Sequence, residues 1–169
     1  MRELHCPICG ASFVRVTYQE GMLERLLGRV NVFPFRCQLC TNRFRAYYAG
    51  ARYNTQAFDR RQYTRLPASI EVQVLDSHQS MTNRITDISM DGCTLQTTGF
   101  SKGAFVELLL KPTVEGDAIY IETAMVCSVH PSSTGIRFLE VPPDHYRRLG
   151  QVVLGLLVGQ GLDPMLNIY

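Results

Sequence analysis

Over the second half of this chain, apolar and polar residues alternate in short runs. Ala68 to Asp76 places Ile70, Val72 and Val74 on one face of an extended segment, and the period of two predicts a strand. Met81–Ile88 and Cys93–Thr98 follow, separated by a turn that contains Asp91-Gly92, a strong hairpin signal. Ala104–Leu110 ends at Lys111-Pro112, Val114–Asp117 holds a Glu-Gly-Asp turn, Ile119–His130 is a long strand closed by Pro131, and Gly135–Glu140 is the last. Six short strands with turn signals between them predict a small antiparallel barrel. Pro142-Pro143-Asp144 then opens a helix with Tyr146, Leu149, Val153 and Leu156 on one stripe. The run Val152–Val158 has more apolar residues than one core-facing stripe needs, which fits either core packing or a surface for a second copy of the chain.

The first third is patterned differently. Ser12–Tyr18 alternates like a strand, and Met22–Leu27 predicts a short helix ended at Gly28. Phe33-Pro34-Phe35-Arg36 and Asn42-Arg43-Phe44-Arg45 flank a short turn, and Ala46–Arg60 has little periodicity. The expected organisation is a small module over residues 1–46, a linker over 47–57, and the barrel with its leading segment and helix over 58–169. Charge divides along similar lines. The net charge of +2 conceals eleven Arg against four acidic residues in 1–66, and six basic against eleven acidic in 67–169. The first part is therefore +7 and the second −5, which marks two modules with an anion-seeking surface in the first. With 46% apolar and 19% charged residues, the chain is neither disordered nor fibrous.

Four of the six cysteines are paired. Cys6-Pro7-Ile8-Cys9-Gly10 and Cys37-Gln38-Leu39-Cys40 are both CxxC knuckles, with 27 residues between Cys9 and Cys37. Each knuckle turns two thiolates toward one point, and two knuckles complete a tetrahedral Cys₄ site that suits zinc. With four thiolates no position is left for water, so the expected zinc is structural. About 46 residues hold too small a core to fold well alone, so metal would supply much of the folding free energy. The segment resembles a zinc ribbon at its cysteines. Arg36, Arg43 and Arg45 with Phe33, Phe35 and Phe44 offer a basic–aromatic surface of the kind that binds single-stranded nucleic acid, or else a solvated face.

Arg61 and Arg65 lie four apart just before the first barrel strand, and Asp87-Ile88-Ser89-Met90-Asp91-Gly92 brackets the second hairpin. Together the RxxxR and DxSxxG patterns, over residues 58–159, resemble the PilZ domain. The resemblance implies a six-stranded barrel with a trailing helix that binds the bacterial second messenger cyclic di-GMP. It implies a ligand site of Arg60, Arg61, Arg65, Asp87, Ser89 and Gly92. Bidentate arginines match both phosphate oxygens and the guanine edge, and a carboxylate accepts from guanine N–H groups. An extended segment would turn Arg61 and Arg65 to one side, and period two would put Asp87 and Ser89 on one face. Gly92 would let the backbone approach the ligand, with a left-handed φ within reach. The leading segment is expected to lack fixed structure until ligand orders it.

No catalytic constellation is apparent. His5, His78, His130 and His145 have no nucleophile or carboxylate at motif spacing, and Cys93 and Cys127 read as buried thiols. The start of the chain lacks the apolar core of a signal peptide, and Leu149–Leu162 falls short of the ~18 apolar residues that span a bilayer. The expected protein is a non-enzymatic, cytoplasmic cyclic di-GMP receptor that signals to a downstream protein by reorienting its two modules. The rival readings are a nucleic-acid adaptor working through the ribbon, and an interaction module without ligand affinity.

Overall fold

A computed structural model describes residues 4–48, 63–76, 79–96, 99–112 and 117–159. The chain divides into two compact units, with the boundary between Thr64 and Arg65. The expected turn over Val114–Asp117 lies largely outside the described residues.

The first unit is an antiparallel meander of β1 (Val14–Val16), β2 (Val32–Cys37) and β3 (Arg43–Tyr47), with helix α1 (Gly21–Gly28) between β1 and β2. Pro34 can stand in the central strand because its missing N–H falls on the β1 side, where β1 has ended. Its carbonyl there accepts from the Thr17 N–H at 2.9 Å. The core is Val14, Phe33, Phe35, Cys6 and Cys37, with Phe44 stacked on Phe35 at 6.0 Å and Tyr48 edge-on to it.

The helix runs counter to its sequence pattern. Its one buried residue is Glu24, whereas Met22, Leu23 and Leu26 face outward. Glu24 caps its own helix start by accepting from the Glu20 N–H at 2.6 Å. It also accepts from Arg43 at 2.7 Å and pairs with Arg45 at 3.0 Å. Of the expected basic–aromatic set, only part reaches the surface. Phe33 and Phe35 are core, two of the three arginines neutralise a buried carboxylate, and the third, Arg36, is tied to Thr41 and Tyr63. Sequence pattern could not reveal this, because the partner carboxylate sits about twenty residues away.

The second unit is a closed barrel in the order β4–β5–β6–β9–β8–β7, returning to β4. Its strands are β4 (Leu66–Asp76), β5 (Gln79–Ile88), β6 (Gly92–Leu95), β7 (Phe105–Lys111), β8 (Ile119–His130) and β9 (Ser133–Glu140). Two three-stranded meanders are joined edge to edge by the β6–β9 and β4–β7 pairs, which leaves no free sheet edge. Val72, Ile85, Leu95, Leu108, Leu110, Ile121 and Ile136 fill the interior.

Helix α2 (Pro143–Gly159) packs against β4 and β8 through Leu149, Val153 and Leu157. The inward stripe thus advances by four residues at each step and takes Leu157, not the expected Leu156, as its third buried member. Leu154 and Val158 face outward. His145 fastens the helix by accepting from the Tyr120 N–H through Nδ1 at 3.2 Å. Cys93 is buried as expected, but Cys127 is exposed, because Val126 takes the inward position on β8. Among the described residues, no helix is long and apolar enough to cross a membrane.

The Glu24 cluster carries a prediction. Burial alone would raise the Glu24 pKa, but the Glu20 N–H and the two guanidinium groups outweigh it and hold the carboxyl below its ordinary value. A depressed pKa stabilises the fold at neutral pH, and that stabilisation is lost as pH falls from the ordinary glutamate value, about 4.3, toward the lower folded one. Glu24→Gln should cost on the order of 1–3 kcal/mol at pH 7. In thermal unfolding across a pH series, the gap between the two proteins should narrow on acidification.

Candidate functional site

Both CxxC pairs close on one point. The sulfurs of Cys6, Cys9, Cys37 and Cys40 all lie within 4.8 Å of one another, with Cys6 to Cys40 at 3.5 Å and Cys9 to Cys37 at 3.6 Å. Tetrahedral ligation with metal–sulfur bonds of ~2.3 Å places sulfurs about 3.8 Å apart, so the cluster has the right size. The residue after each knuckle turns the chain in the left-handed region, Gly10 at φ 72° and Thr41 at φ 60°. A β-branched residue there is strained, and Arg36 Nη1 holds the Thr41 carbonyl at 3.2 Å. The Leu39 N–H points at Cys37 Sγ, 3.4 Å away. Burial pushes the Cys37 and Cys40 thiols up. For Cys6 the upward push of burial is outweighed by the N–H groups of Cys9 and Ile8, and its pKa falls to about 7. His5 is exposed and outside the cluster.

On the barrel, three side chains from three strands or their approaches meet. Arg65, one residue before β4, donates through Nη1 to Asp87 Oδ1 at 3.2 Å and to Thr94 Oγ1 at 2.5 Å. Thr94 in turn donates to Asp87 Oδ1 at 2.9 Å. Asp87 on β5 stands opposite both Pro67 on β4 and Thr94 on β6. Both of its ladders shift register just before it, between Pro67 and Ile70 on the β4 side and between Ile85 and Asp87 on the β6 side. An extra residue in a strand re-aims its neighbours, which is how Asp87 comes to face Arg65. Among the described residues the guanidinium bonds through Nη1 alone, so Nε and Nη2 keep their donors. Both ends of the pair are about one-third exposed or less.

Asp87 and Ser89 do not share a face. β5 ends at Ile88, and Ile88, Ser89 and Met90 are all buried in succession. Ser89 Oγ donates to the Gly92 carbonyl at 3.2 Å and accepts from the Asp91 N–H at 3.3 Å, so it braces the turn. Met90 runs down to α2, with Cε 4.0 Å from the place a Cβ on Gly150 would occupy. Asp91 pairs with Arg137 on β9 at 3.7 Å.

Gly92 has an ordinary backbone angle, not the left-handed one expected. Its requirement is steric: a Cβ there would lie 2.2 Å from the Ile136 carbonyl on β9. Cys93 beneath the site is an inert thiol, its pKa raised first by burial and then by the Asp87 charge.

Arg60 and Arg61 lie outside the described residues. The two residues before Arg65, expected to lack fixed structure, are held: Tyr63 is buried, and both Tyr63 and Thr64 are bonded within the first unit. Sequence reasoning missed Thr94. Counting outward from the hairpin, with Ile88 opposite Cys93, puts Thr94 opposite Asp87, so the signal was present.

A family model described as PilZ domain matches residues 59–155, more than half of the chain. No match was found among curated protein sequences. Several solved structures share the fold. The PilZ domain of YcgR from Escherichia coli, solved with c-di-GMP, is 18% identical at a TM-score of 0.51, covering 60% of this chain and 94% of its own. YcgR from Escherichia coli in complex with c-di-GMP is 15% identical at 0.54, covering 86% and 74%. MrkH of K. pneumonia in its apo state is 18% identical at 0.53, covering 77% and 72%. At these identities the likeness establishes the fold.

The hairpin constraint is testable alone. Gly92→Ala must push β6 away from β9, and overpacking of this kind costs about 1–3 kcal/mol. Urea unfolding followed by circular dichroism should show the barrel transition moved to lower denaturant.

Proposed function

From the premise that this chain belongs to the PilZ domain family, whose domains are non-catalytic effector modules, we propose that it is a cytoplasmic receptor for cyclic di-GMP. The observation that carries the proposal is the Arg65 guanidinium, held at one nitrogen by Asp87 and Thr94 with its other donors unspent. A guanidinium fixed in this way presents a planar fork to a phosphate or a guanine edge with little further loss of freedom. Asp87 Oδ2, which among the described residues carries only a 3.5 Å contact from Thr86, is the acceptor for guanine N–H groups. Arg60 and Arg61 bring further positive charge to a dianionic ligand, as the −5 of the barrel half requires. Ser89 and Gly92 shape the turn that presents Asp87. One protein of the same fold, YcgR, carries c-di-GMP both as its PilZ domain alone and as the longer chain.

In the same reading the first unit is a zinc ribbon. The four thiols would hold zinc, and zinc so bound supplies folding free energy and no open coordination position. Ligand bound at Arg61 and Arg65 engages the segment that joins the two units. Binding therefore fixes their relative orientation, and this is the signal offered to a protein partner. A nucleic-acid role for the ribbon loses support, since Phe33 and Phe35 are core and Arg36, Arg43 and Arg45 are each bonded within the unit.

Calorimetry on the intact chain should show cyclic di-GMP binding. Arg65→Ala and Asp87→Ala should each weaken it by on the order of 1–3 kcal/mol, roughly five- to 150-fold. No heat and no competition with a labelled ligand would overturn the receptor reading and leave an interaction module without ligand affinity.

Elemental analysis of protein purified without chelator should find about one zinc per chain, and Cys37→Ser should lower that content sharply. Zinc-free protein that remains folded would sink the ribbon reading.

A further inference from the structure

Tyr63 and Thr64 stand between the two arginines of the RxxxR pattern, and both are fastened to the cysteine unit. The Thr64 N–H donates to Gln38 Oε1 at 2.7 Å. Gln38 is the residue after Cys37 in the second knuckle and is itself buried. Its carboxamide is oriented from behind, where Nε2 donates to the Arg36 carbonyl at 3.3 Å, and its backbone N–H donates to the Phe13 carbonyl at 2.9 Å. Arg36 holds the neighbouring residue: Nη1 donates to the Tyr63 hydroxyl at 3.0 Å, and the guanidinium lies over the ring at 5.5 Å. The same Nη1 grips the carbonyl of Thr41, next to Cys40. Arg15 on β1 adds a bond to Thr64 Oγ1 at 3.4 Å.

These contacts gather on two residues that make no ligand contact in the proposed site, one peptide bond from Arg65. A segment ordered only by ligand charges its ordering entropy against affinity, whereas a segment already held does not. The hold comes from the knuckle itself: Gln38 lies between two thiol-bearing residues, and Arg36 closes over the strained turn that follows them. Ligation of Cys37 and Cys40 keeps that turn in shape.

We infer that Gln38, supported by Arg36, is a positioning residue for the cyclic di-GMP site. The metal-loaded second knuckle holds Tyr63 and Thr64 so that Arg65 meets ligand from a preset backbone, and metal loss weakens ligand binding. The inference rests on the receptor reading and adds to it a dependence of ligand affinity on the state of the cysteine cluster.

The test is cyclic di-GMP calorimetry on the full chain with metal content measured in parallel. Gln38→Met keeps the length of the side chain and removes the acceptor. It should bind ligand about five- to tenfold more weakly at unchanged metal content. Gln38→Glu keeps an acceptor at that position and should stay closer to wild type. Stripping metal with a chelator should weaken wild type by a similar factor, reversibly on reloading, and add little to the deficit of Gln38→Met. Tyr63→Ala lies outside the knuckles and should show the same weakening with metal retained, so it replaces Gln38→Met if that variant loses metal.

Wild-type affinity in metal-loaded Gln38→Met and in Tyr63→Ala would overturn the inference. So would chelation that weakens wild type and Gln38→Met by equal factors, which marks general loosening. Absence of binding by wild type itself would instead bring down the receptor reading, and the inference with it.

Discussion

Strand β6 approaches β9 so closely at Gly92 that no side chain fits between them. The arrangement around Arg65 follows from that approach. It closes one of the two seams that join the meanders, and it sets where the Ser89–Gly92 turn lies. The turn in turn fixes β5 against β6, which places Asp87 opposite Thr94 and gives Arg65 two partners at once. A substitution of one atom at Gly92 would therefore reach the arginine without touching it. Met90 extends the same constraint to α2, because its buried side chain rests by Gly150.

The first unit solves a different problem. Among the described residues its core cluster holds five buried residues, two of them cysteines, too few for hydrophobic burial alone to offset chain entropy. Its remaining order comes from polar contacts concentrated at a few points. Glu24 gathers the N-terminus of α1 and two strand arginines, and the four sulfurs gather both knuckles. Such contacts are directional, so this small unit can hold particular residues in place. Gln38 and Arg36 apply that property to Tyr63 and Thr64. Chain continuity joins Thr64 to Arg65, the first residue of the barrel unit.

Local patterns were the legible part. The two CxxC pairs could be read because metal chemistry asks for thiolates three residues apart, and the Cys₄ cluster assembles as that spacing implies. The barrel strands could be read from alternation, and the β5–β6 turn from Asp91-Gly92. Arg65 and Asp87 were each singled out by short motifs that flank the first strand pair, though their direct contact was not. Features that depend on distant partners were not legible. The leucines of α1 promised a buried stripe, yet the buried residue is Glu24, since its partners Arg43 and Arg45 arrive from another strand. Strict alternation put Asp87 with Ser89 and Cys127 inside, but register shifts and the end of β5 move those positions.

The sequence by itself determined the barrel and trailing helix and the place of the cysteine cluster. Those properties are written in periods and spacings along one stretch of chain. Only the tertiary structure decided that Thr94 completes the Arg65–Asp87 contact, that Gly92 is needed for strand approach and not for a left-handed turn, and that the second knuckle grips Tyr63 and Thr64. Each of these depends on the distance between atoms from separate strands, and that distance is set by register, bulges and side-chain packing, which no periodicity in the chain records.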